Sequence, residues 1–279
     1  MKTIHHSGEP RTGWPKLGAA ILIGGMLCGA PAYAQDIPRL ADGHPDFSGL
    51  WVGGVAGEGP EGDATVRNFG GRGGDFFGFE EDNGLNRMAA GNKPIYRPEH
   101  WETIRSNDYW GNWLDPELFC LPDGVPKVGA PAQIFQTADT IMLIYQGGFN
   151  GSNDVRIIPT DGRPHNVARV RAETWNGTGV GNWEGDTLVI ETIGFTDESW
   201  LHKSGYIHGY NMRVVETLKR DGNRLTWQAT VYDDEYLQEP WVLNPVNRNL
   251  NTNPDALLAE DLPCDERDVE HIVSHTRSG

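Results

Sequence analysis

The chain has 279 residues, with 39 acidic against 23 basic side chains, nine His, three Cys, 36 Gly and ten Trp. A formal charge of −16 excludes nucleic acid and anionic membrane surfaces as partners, because phosphate binding needs the opposite sign. At 22% charged and 10% aromatic residues the composition excludes a disordered chain and leaves a globular one, long enough to bury a substantial core.

Residues 1–34 read as a secretory leader. Lys2, Arg11 and Lys16 precede the apolar run 17–27, and Ala32-Tyr33-Ala34 has the small-x-small form that signal peptidases cut. The run is too short for a stable bilayer anchor, Gly25-Met26-Leu27 before Cys28 is a poor lipoprotein box, and no paired arginines mark twin-arginine export. Cleavage after Ala34 leaves 245 residues in the periplasm or outside the cell. The leader takes three basic residues and Glu9 with it, so 20 basic and 38 acidic side chains remain, about −18 in charge. With Cys28 gone, Cys120 and Cys264 form an even pair in an oxidising compartment. One disulfide is expected, closing about 144 residues and worth about 2–5 kcal/mol. Neither cysteine has CxxC or Cys/His spacing, so no metal is expected there. A catalytic thiol at one would leave the other without a role.

Residues 36–51 form an opening segment ending in a brief strand over 47–52. Residues 53–84 then hold eleven Gly among Phe69, Phe76, Phe77 and Phe79, a density that forms neither a helix nor a central strand. Pro98 opens a short helix. From Ala132 the pattern turns to paired apolar runs: 132–137 and 140–147 around Ala138-Asp139, and 155–159 and 165–171 around Asp161-Gly162-Arg163. Two more pairs follow, 177–183 and 187–193 around Glu184-Gly185-Asp186, and 209–219 and 224–233 around Asp221-Gly222-Asn223. Short Gly-containing turns between alternating runs signal hairpins. Four in series predict an all-β fold, an up-and-down, lipocalin-like antiparallel barrel of about eight strands. Residues 241–243 offer one more strand. The expected organisation is a leader (1–34), an N-terminal strand and Gly/aromatic-rich loop region (35–131), the barrel core (132–248) and a polar tail (249–279) with a helix near 265–273.

Alternation assigns faces to these strands. On 212–219, Met212, Val214, Glu216 and Leu218 share one face; Arg213, Val215, Thr217 and Lys219 share the wet one. Glu216 therefore points inward, where an acid needs either a raised pKa or a cationic partner. Glu191 is the second acid of interest, on a strand apolar on both faces. Arg156, alternating with Ile158, is the cation placed to pair with either acid, as a structural ion pair or as part of a site. His202 and His208 lie in the aromatic loop 200–210 with Tyr206 and Tyr210, where a barrel mouth would put binding residues. His165 follows a turn and either stabilises it or joins the site. A spacing of six positions from His202 to His208 is weak for a metal, and proton transfer suits these His better. Trp183, Trp227, Tyr145, Tyr206 and Tyr210 are the candidate substrate-binding aromatics. No GxSxG elbow, P-loop, dinucleotide fingerprint or HExxH occurs, so no cofactor is expected.

Several segments resemble a family of uncharacterised exported bacterial proteins. They are Asp46-Phe47-Ser48-Gly49-Leu50-Trp51, the CxPxGxP run Cys120-Leu121-Pro122-Asp123-Gly124-Val125-Pro126, and Arg156-Ile157-Ile158-Pro159-Thr160-Asp161-Gly162-Arg163-Pro164-His165. The most specific is 175–192, with Trp183-Glu184-Gly185-Asp186-Thr187-Leu188-Val189-Ile190-Glu191-Thr192; Val214-Val215-Glu216, Pro240-Trp241 and Cys264-Asp265-Glu266 extend it. The resemblance covers most of 46–266, leaves out 53–84, and implies architecture without a reaction. Gly49-Leu50-Trp51 is also similar to the Gly-x-Trp that opens lipocalin barrels.

Together these features predict an exported barrel that binds a small apolar or aromatic molecule. Its chemistry would be cofactor-free acid–base work, as in a lyase, isomerase or hydratase. Glu216 or Glu191 would serve as acid or base, with Arg156 or a loop His stabilising charge. A non-catalytic carrier and a glycan-active protein are the alternatives, the latter because Trp and paired acids suit sugars. The oligomeric state is left open.

Overall fold

Along every long strand, side-chain alternation becomes alternation of buried and exposed faces. Strand β6 (Thr187–Ile193) buries Leu188, Ile190 and Thr192. Strand β7 (Arg213–Asp221) buries Val214, Glu216, Leu218 and Arg220, and β8 (Arg224–Tyr232) buries Leu225, Trp227, Ala229 and Val231. These faces meet inside a nearly closed, mostly antiparallel β-barrel. The structure, a computed structural model, describes residues 37–53, 92–146, 154–202 and 205–258. The leader, most of 53–84, Cys264 and the expected helix near 265–273 lie outside the described residues.

The remaining strands are β1 (Gly49–Val52), β2 (Gln133–Gln136), β3 (Thr140–Ile144), β4 (Val155–Pro159), β5 (Thr178–Glu184), β9 (Trp241–Val242) and β10 (Val246–Leu250). The sheet order is β4-β3-β2-β1-β10-β8-β7-β6-β5, with β9 pairing β8 off this path. Every paired step along the path is antiparallel. Nine strands is an odd number, so β4 and β5, at the two ends of the path, run in the same direction. Their junction is a seam rather than a ladder: Gly162 N donates to Gly181 O at 3.0 Å. A Cβ on Gly181 would meet Pro159 O and Thr160 Cγ2, both at 3.3 Å, so the bare glycine lets β4 approach.

This parity explains one correction. Residues 165–171 are not the return strand of a second hairpin. They carry helix α2 (Val167–Val170), capped by the Asn166 side chain, which accepts from Ala168 N and Arg169 N. The segment is the crossover that brings the chain back to start β5 parallel to β4. A second correction concerns the tail. Val246–Leu250 is strand β10, pairing β8 on one side and β1 on the other. The other three hairpins form as expected, and Trp241–Val242 pairs with Thr230 and Val231.

The tight turns β2–β3, β5–β6 and β7–β8 lie at one end of the barrel, and the connections β1–β2, β3–β4, β6–β7 and β8–β10 lie at the other. Helix α1 (Trp101–Leu114), preceded by a 3-10 turn at Pro98–His100, belongs to this loop end. Its lead-in is tied there by Arg97 N to Tyr236 O (2.8 Å) and Gln238 N to Ile95 O (2.8 Å). No described helix is long and apolar enough to cross a membrane.

Candidate functional site

The interior acid is saturated. Arg156, from β4, reaches across the barrel to Glu216 on β7 as a two-pronged ion pair, Nη1 to Oε1 at 2.9 Å and Nη2 to Oε2 at 2.6 Å. Its other Nη hydrogens go to Tyr145 Oη (2.8 Å) and Thr192 Oγ1 (2.9 Å). Trp227 Nε1 adds a third donor to Glu216, 3.0 Å from Oε1. Glu216 is wholly buried, and Tyr145, Thr192 and Trp227 are buried beside it. Burial alone would lower the Arg156 pKa, but the Glu216 charge outweighs it and holds Arg156 above its ordinary range; burial pushes the Tyr145 hydroxyl up. The guanidinium thus joins β4 to β6, β7 and Tyr145 just past β3, and Glu216 extends the network to β8 through Trp227. Trp227 and Tyr145, expected as substrate contacts, are donor and acceptor within it.

Other expected members fall elsewhere. Glu191 is half-exposed on the outer face, 3.2 Å from Arg213 and 3.4 Å from the His165 ring, so neither Glu191 nor His165 joins the interior. With β6 apolar on both faces, its neighbours Leu188 and Ile190 decide which face is buried. Trp183 packs at the tight-turn end, stacked on His44 with ring centroids 4.4 Å apart and tilted against Phe47. Tyr210 is exposed. His202 and Tyr206 are buried together, ring centroids 5.7 Å apart, and Tyr206 also meets Trp241 edge-on at 6.1 Å.

His208 sits in a different environment. It is buried in the β6–β7 connection, with Nδ1 2.9 Å from Gly209 O and Nε2 2.7 Å from Ser199 Oγ. A carbonyl only accepts, so Nδ1 carries the proton and Nε2 presents its lone pair to the serine hydroxyl. Burial lowers the His208 pKa and favours the neutral ring, against the weaker opposing pull of the Gly209 carbonyl and the Asp233 charge. Asp233 fixes this backbone: its carboxylate accepts Gly209 N at 2.7 Å and, on the other oxygen, Glu235 N and Tyr236 N. The Phe195 ring stands edge-on to the imidazole, centroids 6.1 Å apart. Gly124, at φ +73°, lies so close that an added Cβ would be 3.1 Å from Ser199 Cβ and 2.8 Å from Trp175 O.

That contact brings the CxPxGxP loop to the serine, and the loop holds a second charged cluster. Lys127 Nζ is 2.6 Å from Asp115, 3.2 Å from Glu117 and 3.4 Å from Asp123, all largely buried. Asp115 also caps the 3-10 turn Pro116–Phe119 by accepting Glu117 N. One ammonium facing three carboxylates leaves excess negative charge. Burial first, then the Glu117 charge, raise the Asp123 pKa from 3.8 to about 7. The unfolded chain loses this proton near pH 3.8, whereas the folded chain keeps it to about 7, so this group's contribution to stability falls as pH rises between those values. Asp123→Asn is expected to stabilise the protein by about 2–4 kcal/mol at pH 8 and by nothing measurable at pH 4, read from urea unfolding at both pH values. Equal effects at the two pH values would contradict the raised pKa.

Ser199 and Asp233 carry no local motif, and the CxPxGxP run is read for its cysteine and not for the carboxylates around Lys127; they meet because the connections fold onto one end. Among the described residues no group of His, Cys, Asp and Glu is placed to hold a metal. No family model, curated protein or solved structure matches the chain.

Proposed function

We propose that the chain is an exported barrel that binds a small apolar or aromatic molecule and acts on it by cofactor-free proton transfer, in the manner of a lyase, isomerase or hydratase, with His208 as the base. One observation carries this reading: a buried, neutral imidazole whose tautomer is set by Gly209 O and whose bare Nε2 faces a hydroxyl. A base must be unprotonated and held within hydrogen-bond reach of the proton it takes. Ser199 occupies that position and can pass a proton between substrate and ring. Glu216, with its carboxylate engaged by Arg156 and Trp227, acts as the interior brace. That saturation is also what favours the second reading, a carrier using the same barrel without turnover.

Export and a Cys120–Cys264 bond belong to the same proposal. Of the two cysteines other than Cys120, Cys28 belongs to the expected leader, which leaves Cys264 as the proposed partner.

Long-range proton–nitrogen spectra of the imidazoles test the base directly. His208 is expected to show a protonated Nδ1 and a bare Nε2, unchanged as pH falls below 6.5. A proton on Nε2, or titration at the ordinary histidine value, would remove it as the base.

A further inference from the structure

The chain pairs two of its buried cations with acids, Arg156 with Glu216 and Lys127 with three carboxylates. Arg248 is treated differently. On β10 it stands opposite Leu225 of β8, between Val246 opposite Trp227 and Leu250, whose partner is Trp51 of β1. All five of those partners and neighbours pack in or against the core, so Arg248 sits on the inner face. Among the described residues its buried Nε has no hydrogen-bond partner, and Nη1 donates to Gly53 O at 3.4 Å. Burial lowers its pKa, and among the described residues no neighbouring charge acts to restore it.

The next position in the same cross-strand row is a second arginine. Leu225 pairs with Arg220 of β7, whose Nε donates to Gly222 O at 2.8 Å and whose Nη1 donates to Asp46 O. Its guanidinium lies 5.3 Å from the centroid of the Trp51 ring. Among the described residues neither arginine forms an ion pair, although the Asp46 charge acts on Arg220 from farther away. Two strand spacings put these arginines about 10 Å apart, with Leu225 between them. An interior cation without an anion is costly, and the cost falls when a ligand brings the missing charge.

We propose that Arg248 receives the carboxylate of a small apolar or aromatic acid, with Arg220 adding positive field one row away. A guanidinium edge offers two parallel donors that match a planar carboxylate. The residues that flank it, Val246, Leu225, Trp227 and Trp51, are apolar and buried. The inference goes beyond the reading above: Arg248 lies in the row beside the β7–β8 turn, at the end of the barrel opposite the β6–β7 connection that carries His208, so this site is separate from the proposed base.

The test uses the exported chain, benzoate and its uncharged relative benzamide, followed by tryptophan fluorescence and calorimetry. Wild type is expected to bind benzoate roughly ten- to hundredfold more tightly than benzamide, and Arg248→Met to erase that difference while leaving benzamide unchanged. Inorganic phosphate separates the sources of the anion. Competition that also depends on Arg248 marks a general anion site, and no competition marks one selective for carboxylates; both fit the proposal. Because Arg248→Met removes a half-buried cation that has no ion-pair partner among the described residues, its melting temperature should equal or exceed that of wild type, so lost binding will not reflect unfolding. Equal affinities for benzoate and benzamide, no benzoate binding at millimolar concentration, or full benzoate binding by Arg248→Met would overturn the assignment. His208→Gln should bind benzoate as wild type does, which keeps this result separate from the fate of the proton-transfer reading.

Discussion

Arg156→Met is expected to lower the unfolding free energy by about 3–5 kcal/mol, because it strands the Glu216 carboxylate in the barrel interior without a cation. For a chain of this size that corresponds to a melting temperature lower by about 6–20 °C. Glu216→Leu should cost a similar amount for the converse reason, leaving the guanidinium with only Tyr145 and Thr192. The double variant should recover most of the loss and lie within about 2 kcal/mol of wild type, since both charges and both desolvation penalties leave together. The strong coupling follows from burial. The Arg213–Glu191 pair, at 3.2 Å and on side chains 38% and 46% exposed, is screened by water, and Arg213→Ala should cost about 1 kcal/mol or less. Thermal and urea unfolding of the four variants decides the matter. Additive losses in the double variant would mean that Arg156 and Glu216 contribute separately and that the cross-barrel pair does not brace the fold.

Much of this interior was legible because strand alternation is a strict rule. Glu216 shares a face with Met212, Val214 and Leu218 in the sequence, so it had to point inward, and Arg156, which shares a face with Ile158, was a cation placed to pair with it or with Glu191. The turns Glu184-Gly185-Asp186 and Asp221-Gly222-Asn223 likewise marked their hairpins. Asp161-Gly162-Arg163 looks the same locally and is followed by an apolar run. What decides against a hairpin there is the closure of nine strands, a property of the whole sheet that no window of ten residues contains. β10 escaped notice because Val246-Asn247-Arg248-Asn249-Leu250 puts a charge on the buried face, which breaks the apolar alternation that identifies a strand. The same charge is what gives Arg248 its interest.

The loop end was legible in type more than in position. Aromatic and His-rich composition pointed to 200–210, and His208 does lie there against a hydroxyl. Its partners could not be read, because Ser199, Gly124 and Asp233 come from three connections that approach only when the strands are in register. Trp183 and Tyr210 show the converse: aromatic identity says nothing about which end or face a ring occupies.

The base assignment has the largest expected functional consequence. Removing a positioned general base typically costs 10²–10⁴-fold in rate, since the proton must then go to water. His208→Gln keeps a polar side chain of similar reach but has no titrating nitrogen, so it should abolish proton transfer while leaving the ligand bound. Glu216→Gln, in contrast, should act chiefly through stability, with turnover per folded molecule retained. The decisive measurement is the initial rate of wild type and His208→Gln on small apolar and aromatic compounds capable of elimination, hydration or isomerisation, with no cofactor added and ligand affinity measured alongside. The account predicts turnover by wild type and a fall of about 10²–10⁴-fold in His208→Gln at unchanged affinity. Turnover retained by His208→Gln, or a wild-type chain that binds and never turns over, would contradict it.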